Sequence, residues 1–422
     1  MKRILVSLLA IISMFVFTNV NAATVTVCAT GCTHTNLPDA ITAVTDADTI
    51  KLEENIALVA TQEINKKVTI DLNGYTISKD RMPLRVQGGE LTLTGAGTVK
   101  ETAPWFGAVV VKGSDTPTDT NYSVVNIGKD VILEGFFALF IDATTAGNGY
   151  GIVINVAGTA KGMNDGYDNG AGIYIQGKIK HKTNYPIINV ASTAKIESVG
   201  LGIYAAGYAN WTFADGVSVS GVDSAMAIKS GKVTINGGTW TVTGPDTTPT
   251  TGWSAGVNGS GATIQLESNS AYAGDIELVI NDGTFVSTNG RVIYEYLGKA
   301  GDTDTAVSSV EINDGSFVAS AGKDVFMFSQ EFGDKITKFV NGGTYSSDPS
   351  AYANDGVIFV ANGQGIFGEK VETPVVDPEK KDPVKNPETS DNIVFYIVTA
   401  LISLSLLVCV ALVLKKTKKV LN

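Results

Sequence analysis

Val233-Thr-Ile-Asn-Gly-Gly-Thr-Trp240 is the first of four copies of one unit in this chain. The other copies are Leu278-Val-Ile-Asn-Asp-Gly-Thr-Phe285, Val310-Glu-Ile-Asn-Asp-Gly-Ser-Phe317 and Lys338-Phe-Val-Asn-Gly-Gly-Thr-Tyr345. In each copy an apolar residue is followed by Asn, by Gly or Asp, and then by Gly. This is turn chemistry, because Asn and Gly tolerate positive φ. Units repeated at such intervals predict coils stacked along one axis.

Equivalent positions of the four copies would lie above one another in such a stack. The apolar residue of each copy would point inward from a strand: Ile235, Ile280, Ile312 and Val340. The following amides would meet at one corner and bond as a ladder: Asn236, Asn281, Asn313 and Asn341. The final Gly residues are 45, 32 and 28 residues apart. We interpret the longest interval as two coils, with Trp253 to Leu266 in the intervening one.

Weaker versions of the unit occur earlier in the chain. Segments that alternate apolar and polar residues, which buries one face of a strand, are Val68–Ile77, Gly89–Val99, Val124–Leu133, Gly151–Ala160, Ile187–Ile196 and Trp211–Val219. Together they predict an all-β solenoid of about 12 coils with about 25 residues each. An eight-bladed propeller or a β-sandwich is the alternative. It is disfavoured because the repeats lack hairpin turns at a spacing of about 8–12 residues.

The segment Val27 to Val44, followed by Asp46 to Leu52, resembles the opening of the pectate-lyase-like superfamily. In that superfamily a short helix covers the open end of the solenoid. Asn36 is a suitable N-cap here, and Pro38 lies in the first turn. Leu37, Ile41 and Val44 have the spacing of one helix face. The resemblance spans residues 25–368 and implies a right-handed parallel β-helix with a short N-terminal capping helix. It is specific for the fold and weak for function.

Both ends of the chain predict export and anchoring. Residues 1–22 combine a basic start, an apolar centre and small residues near Ala22, as in a secretory signal peptide; a retained membrane helix is the alternative. Residues 393–414 carry no charge and are long enough to span a membrane. The basic tail 415–422 places the C-terminus in the cytoplasm. The β-helix domain is therefore predicted at 23–368 of a surface protein.

A linker rich in Pro and charged residues, 369–392, joins the domain to the predicted span. Its end, Asn386, Pro387, Glu388, Thr389 and Ser390, resembles a sortase sorting signal, whose usual form is Leu-Pro-x-Thr-Gly. The resemblance implies a sortase-like transpeptidase as partner and cleavage after Thr389. This chain has Asn in place of Leu and Ser in place of Gly. The alternative is a permanent membrane anchor.

Charge and cysteine content limit the partners. Outside residues 1–22 and 393–422 the chain has 25 basic and 42 acidic residues, a formal charge of −17. Such a surface repels polyanions and excludes nucleic-acid binding. Cys28 and Cys32 lie on the oxidising side of the membrane, which predicts a local disulfide. Zinc, with His34 as a further ligand, is the disfavoured alternative because a second cysteine pair is missing.

Candidates for catalysis are few. Enzymes of the resembled superfamily cleave acidic polysaccharides with clustered Asp, Ca²⁺ and a Lys or Arg base, or with paired Asp and a His. This chain has two His, His34 and His181, which we interpret as surface residues. Asp165 and Asp168 are weak candidates for holding Ca²⁺, as are the carboxylates of 301–305. We favour turn-capping roles for these carboxylates and expect no catalytic residue, metal or cofactor.

Aromatic residues give the stronger functional prediction. Candidates for stacking on sugar rings along one face are Tyr150, Tyr167, Tyr174, Tyr204, Tyr208, Trp211 and Trp253, with Tyr204, Tyr208 and Trp211 the preferred contacts. The alternative is that half or more of them point into the solenoid. We therefore expect a non-catalytic adhesin, or a display protein that contacts a glycan or host surface ligand. A surface-tethered polysaccharide lyase or hydrolase and a purely structural spacer are the alternatives.

Overall fold

The structure is a computed structural model, and it describes residues 24–46, 48–103, 105–143, 149–164, 170–247 and 260–369. The chain divides into two units, Met1–Lys370 and Val371–Asn422, and every described residue belongs to the first. The predicted signal peptide, sorting motif, membrane span and basic tail lie outside the described residues, as does nearly all of the predicted linker. None of the helices among the described residues is long and apolar enough to cross a membrane.

Almost all regular structure is β-strand. The first half of the chain contains β1 Thr24–Val27, β2 Thr49–Leu52, β3 Ile56–Ala57, β4 Gln62–Ile64, β5 Lys67–Asp71, β6 Thr76–Lys79, β7 Leu84–Gln87, β8 Glu90–Thr94, β9 Gly97–Glu101, β10 Gly107–Lys112, β11 Ser123–Ile127, β12 Val131–Gly135, β13 Phe137–Asp142, β14 Ile152–Val156, β15 Thr159–Gly162, β16 Ala171–Ile175 and β17 Ile187–Val190. The second half contains β18 Lys195–Ser198, β19 Leu201–Ala205, β20 Asn210–Phe213, β21 Ser218–Gly221, β22 Ser224–Ile228, β23 Ser230–Ile235, β24 Thr239–Val242, β25 Ile264–Ser268, β26 Gly274–Ile280, β27 Thr284–Ser287, β28 Ile293–Leu297, β29 Val307–Ile312, β30 Ser316–Val318, β31 Phe326–Met327, β32 Thr344–Tyr345, β33 Phe359–Ala361 and β34 Phe367–Glu369.

These strands form three sheets, and from β2 to β28 each strand pairs with the strand three places further along the chain. Sheet A runs β1-β2-β5-β8-β11-β14-β17-β20-β23-β26-β29. Sheet B runs β3-β6-β9-β12-β15-β18-β21-β24-β27-β30-β32-β34-β33, and sheet C runs β4-β7-β10-β13-β16-β19-β22-β25-β28-β31. Pairing is parallel except where β34 joins β32 and β33. The strands β2–β31 of the described chain therefore form ten complete coils of a β-helix-like solenoid. The coiling agrees with the prediction, whereas the predicted number of about 12 coils is too high.

The repeated unit forms the corner between sheets A and B. Ile235, Ile280, Ile312 and Val340 are buried in the core, as predicted. The Gly before the next strand has positive φ in every copy, from +90° at Gly238 to +134° at Gly283. At Gly238 an added Cβ would approach the Val217 carbonyl oxygen to 2.3 Å, so this position also lacks the space for a side chain.

The predicted amide ladder is present. Each Asn side chain donates from Nδ2 to the Oδ1 of the preceding copy: Asn281 to Asn236 at 2.8 Å, Asn313 to Asn281 at 3.0 Å and Asn341 to Asn313 at 2.8 Å. Asn354 extends this ladder at 2.7 Å. A second ladder joins Asn189, Asn155 and Asn126 at 2.9 and 2.8 Å in earlier coils.

The interpretation of the 45-residue interval as two coils is wrong. Strand β23 pairs directly with β26, with Ile235 opposite Ile280, so one coil separates the two copies. The extra length is a single insertion of residues 243–263, between β24 and β25, of which the structure describes 243–247 and 260–263. Leu266 lies in β25 of this same coil. A long corner loop leaves strand pairing unchanged because it adds no strand to the stack.

Apolar elements cover both ends of the solenoid. Helix α1, Leu37–Ala43, begins at Asn36, whose Oδ1 accepts a hydrogen bond from the Asp39 amide at 2.9 Å. Leu37, Ile41 and Val44 are buried, which confirms the predicted helix. At the other end lie helix α2, Gln330–Lys335, and a short 3-10 helix, Ser350–Tyr352. Here an aromatic cluster closes the core: Phe326, Phe328, Phe332, Phe339 and Tyr352.

Candidate binding surface

The outer face of sheet C differs from the outer faces of sheets A and B. Strands such as β14 in sheet A alternate buried and half-buried residues, whereas β19, β22 and β25 in sheet C are buried at every residue. Strands covered on both faces have apolar runs without alternation. The outward side chains accordingly form a second apolar cluster, separate from the core: Ala171, Leu201, Tyr204, Ala206 and Ala227. Sheet C therefore packs apolar side chains on its outer face as well as on its inner face.

A chain of aromatic rings runs along this outer face, and we call it the aromatic ribbon. It consists of Trp105, Phe136, Phe137, Phe140, Tyr174 and Tyr204. The ring centroids are 5.7 Å apart for Trp105 and Phe136, and 4.7 Å apart for Phe136 and Phe137. Tyr174 stacks on Phe137 at 4.2 Å and on Tyr204 at 4.6 Å. Phe140, Tyr174 and Tyr204 occupy directly opposite positions of β13, β16 and β19, which are neighbours in sheet C.

The two ends of the aromatic ribbon differ most in exposure, and Phe136 and Phe140 between them are buried. Trp105 is 53% exposed, Phe137 and Tyr174 are half-buried, and Tyr204 is 1% exposed. The stacked rings of Phe137 and Tyr174 cover each other's faces, so a ligand can reach only their edges. Trp105 is consequently the ring most open to a ligand.

Trp105 is held in a conformation that a bulky residue rarely adopts. Its φ is +97°, in the left-handed region, and Met82, in the corner of the preceding coil, has φ +44°. Such positions cost free energy and persist where surrounding contacts hold them. The strained backbone therefore indicates that the loop at Trp105 is shaped by more than local preference.

A buried carboxylate supports this loop. Glu101, 5% exposed, accepts hydrogen bonds from the backbone amides of Phe106 at 3.2 Å and Phe136 at 3.1 Å. It thereby joins the corners of two successive coils beneath Trp105. Burial raises the pKa of Glu101 to about 7, and the amides of Phe136, Phe106 and Met82 oppose that rise. The Arg81 guanidinium lies 6.0 Å from the ring centre of Phe106, and its positive charge also lowers the pKa of Glu101.

The prediction that Tyr204, Tyr208 and Trp211 are exposed sugar contacts is wrong, because their exposed fractions are 1, 3 and 0%. Trp211 points into the solenoid and stacks on Phe213. Tyr204 does lie on the outer face, but it is covered there, and burial raises its pKa far above the usual range. Tyr150 and Tyr174 are half-buried, and Tyr167 and Trp253 lie outside the described residues.

Tyr208 belongs to a second, more polar aromatic group at the corner between sheets C and A. Its ring packs edge-on against Tyr185, with centroids 5.2 Å apart, and lies 5.7 Å from the Lys182 ammonium. Lys182 also pairs with Asp275. In the same corner His181 stacks on Tyr150 at 3.7 Å. These contacts fix the two rings against one another and give His181 a packing role.

The remaining candidate residues form no metal or catalytic cluster in the described chain. Asp165 and Asp168 lie outside it. Asp302 accepts hydrogen bonds from the amide and hydroxyl of Ser270 at 3.0 and 2.7 Å, and Asp304 pairs with Lys335. Among the described residues, no three His, Cys, Asp or Glu side chains are placed to hold a metal ion.

Cys28 and Cys32 form a disulfide with Cα atoms 5.5 Å apart. It closes the turn between β1 and His34, where the His34 amide donates to the Thr26 carbonyl at 3.0 Å. His34 is thus part of an isolated strand bridge to Val27 at the start of the solenoid.

Comparison with known proteins gives no relative. No family model matches the chain, and no curated protein or solved structure matches it either.

The sequence did not predict the aromatic ribbon beyond its two tyrosines, Tyr174 and Tyr204. Trp105, Phe136, Phe137 and Phe140 were not selected, although a signal was present in Phe136-Phe-Ala-Leu-Phe140. This run is apolar at every position, which is typical of a strand that is covered on both faces. The aromatic residues predicted as contacts are close together in the sequence. Closeness in sequence carries no information about the face of the solenoid on which a ring lies.

Proposed function

We propose that this chain is an exported, surface-anchored solenoid that contacts glycans through the exposed end of the aromatic ribbon, without catalysis. The observation that carries the proposal is Trp105, a large ring that is more than half exposed on a strained and internally supported loop. Exposed aromatic rings bind sugars because the apolar faces of sugar rings pack against them. The edges of Phe137 and Tyr174 extend the apolar floor, and Arg81 supplies donors for hydroxyl groups.

Surface anchoring is supported by the sequence of both ends. The N-terminal apolar segment, the apolar run 393–414 and the lysines that follow it fit export and membrane insertion. Asn386-Pro-Glu-Thr-Ser390 stands directly before the apolar run, where a sorting signal is placed. Under this proposal a sortase-like transpeptidase cleaves after Thr389, and the solenoid is held away from the cell by its linker.

The finer fold assignment is part of the same proposal. We assign the solenoid to right-handed parallel β-helices of the pectate-lyase-like type. Support comes from one strand per sheet in each coil and from the short helix α1 ahead of the complete coils. The fold alone carries no function, so the glycan proposal rests on the surface residues.

Binding of the purified chain to an array of host-type oligosaccharides, and to pectin with and without added Ca²⁺, tests the glycan proposal. We expect binding by the wild-type protein and at least a tenfold weaker interaction for Trp105→Ala, equivalent to the loss of one stacking contact. Val59→Ala is the matched control, because Val59 is fully exposed near the N-terminal end of the solenoid and remote from the ribbon in sequence. Binding that survives Trp105→Ala, or that is equally reduced by Val59→Ala, would contradict the proposal, as would cleavage of pectin.

Anchoring is tested separately by mass spectrometry of C-terminal peptides from cell-wall digests. Sorting predicts peptides that end at Thr389 and are joined to cell-wall material. An intact Thr389–Ser390 bond in every peptide would rule sorting out and leave the glycan proposal untouched.

A further inference from the structure

We propose that Lys229 and Asn269 become joined by an intramolecular amide bond, formed with Glu267 as the proton carrier. The three residues lie on the outer face of sheet C, where β22 and β25 are neighbouring strands. Their exposed fractions are 1, 2 and 3% for Lys229, Asn269 and Glu267. An amine and a side-chain amide held on one carboxylate, out of water, are the ingredients of amide transfer between side chains.

Glu267 holds both reacting side chains, one on each carboxylate oxygen. The Lys229 Nζ lies 2.6 Å from Oε2, and the Asn269 Nδ2 donates to Oε1 at 2.8 Å. Tyr296 donates its hydroxyl to Oε2 at 2.9 Å, which fixes the carboxylate. Groups held in this way react as if at very high concentration.

The carbonyl oxygen of Asn269 is also placed for the reaction. Its Oδ1 accepts a hydrogen bond from the Ala271 backbone amide at 2.9 Å. An amide donor at this oxygen stabilises the negative charge that develops there when a nucleophile attacks Cγ. The rings of Tyr204 and Tyr272, 5.0 and 4.8 Å from the Lys229 Nζ, pack around the lysine and help keep water out.

The proposed step conserves atoms and charge. Lys229 gives one proton to Glu267, and the neutral Nζ forms a bond to Cγ of Asn269. Glu267 then gives its proton to Nδ2 and takes a second proton from Nζ, the bond from Cγ to Nδ2 breaks, and ammonia leaves. Glu267 ends with one proton, so a buried ion pair becomes a neutral acid beside a neutral amide. Removing two buried charges favours the product, because charges are costly in a low-dielectric site.

The amide would connect two consecutive coils across the long insertion. Lys229 follows β22, Asn269 follows β25, and residues 243–263 lie between them in the chain. A covalent bond here would hold the coil that carries the insertion closed, as a disulfide does elsewhere.

Peptide mapping of the purified full chain tests the proposal directly. We expect a branched peptide in which the Lys229 segment is joined to the Asn269 segment, with the mass of one ammonia molecule missing. Separate, unmodified Lys229 and Asn269 peptides would overturn the proposal. A succinimide at Asn269 would show the same mass loss without joining the two peptides, and that result would overturn it as well.

Variants identify the roles of the three residues. Glu267→Gln keeps the size of the side chain but cannot carry the proton, so we expect at least a tenfold lower yield of branched peptide, and Asn269→Ala should form none. Lys232→Met is the control, because Lys232 pairs with Glu277 at 2.9 Å at a more exposed position of the same region and should leave the yield unchanged. A normal yield in Glu267→Gln would contradict the role of Glu267 as proton carrier. The peptide map of the wild-type chain shows whether the amide bond exists, even if a variant fails to fold.

Discussion

Asn281 donates from its side-chain Nδ2 to the Oδ1 of Asn236 across 2.8 Å, although 45 residues separate the two in sequence. The contact shows that an insertion can enter one coil without disturbing the corner where coils meet. Backbone pairing between β23 and β26 continues up to Ile235 and Ile280, immediately before the two amides. The corner therefore sets the register of the stack, and the loops between sheets B and C are free to vary.

The amide ladder should contribute measurably to stability. Asn313 lies in its middle, where it donates to Asn281 and accepts from Asn341. Asn313→Ala removes both hydrogen bonds and should lower the free energy of unfolding by about 1–2 kcal/mol. Chemical denaturation of the purified solenoid measures this. Ser309→Ala, at an exposed position of β29, is the control, and an equal loss in both variants would speak against the ladder.

The aromatic stack inside the solenoid should contribute more than the ladder. Phe317 lies between Phe285 and Tyr345, with ring centroids 4.9 and 4.8 Å away and nearly parallel planes. Phe317→Ala would leave a cavity between two coils and should cost about 3–5 kcal/mol. Phe317→Leu fills more of the space and should cost clearly less. Thermal denaturation followed by circular dichroism distinguishes the two, and equal costs would mean that the neighbouring coils collapse into the cavity.

Glu101 should make the protein less stable as the pH rises. Its pKa is raised from 4.5 to about 7 in the folded state, so the folded protein retains a proton that the unfolded chain has lost between those values. The stability contributed by this proton is complete below pH 4.5 and is lost as the pH rises through about 7. The loss has an upper bound of about 3.5 kcal/mol, from about 1.4 kcal/mol for each pH unit.

The measurement is the difference in unfolding free energy between pH 5 and pH 8, compared for wild type and Glu101→Gln. Gln does not titrate, so the variant should lack this part of the pH dependence, whereas the other groups contribute equally to both proteins. An identical pH dependence in the two proteins would show that Glu101 is ionised in the fold at pH 5.

The free-energy cost of the backbone conformation at Trp105 can be measured separately from the contribution of the ring. Trp105→Ala and Trp105→Gly both remove the ring, but only Gly adopts a φ of +97° without steric cost. We expect Trp105→Gly to be more stable than Trp105→Ala by about 1 kcal/mol, and both to lose glycan binding. Equal stabilities would mean that the loop relaxes once the ring is gone.

The local features of this protein follow from neighbouring residues in the chain. Asn-Gly corners, alternating strands and the helix start at Asn36 are set by neighbouring residues, because turn conformation, strand alternation and capping act over a few positions. These signals were sufficient to predict stacked coils, the ladder from Asn236 to Asn341 and helix α1.

Features that depend on contacts between coils became visible in the folded chain. It showed that the interval after Asn236 is one coil with an insertion, that Trp211 faces the core and that Tyr204 is covered on the outer face. It also brought Lys229 to Glu267 across neighbouring strands. Alternation along a strand predicts that the strand has two faces. The residues that cover the outer face of sheet C are distant in sequence, so alternation does not predict them. For that reason the candidate binding surface at Trp105 emerged from the fold.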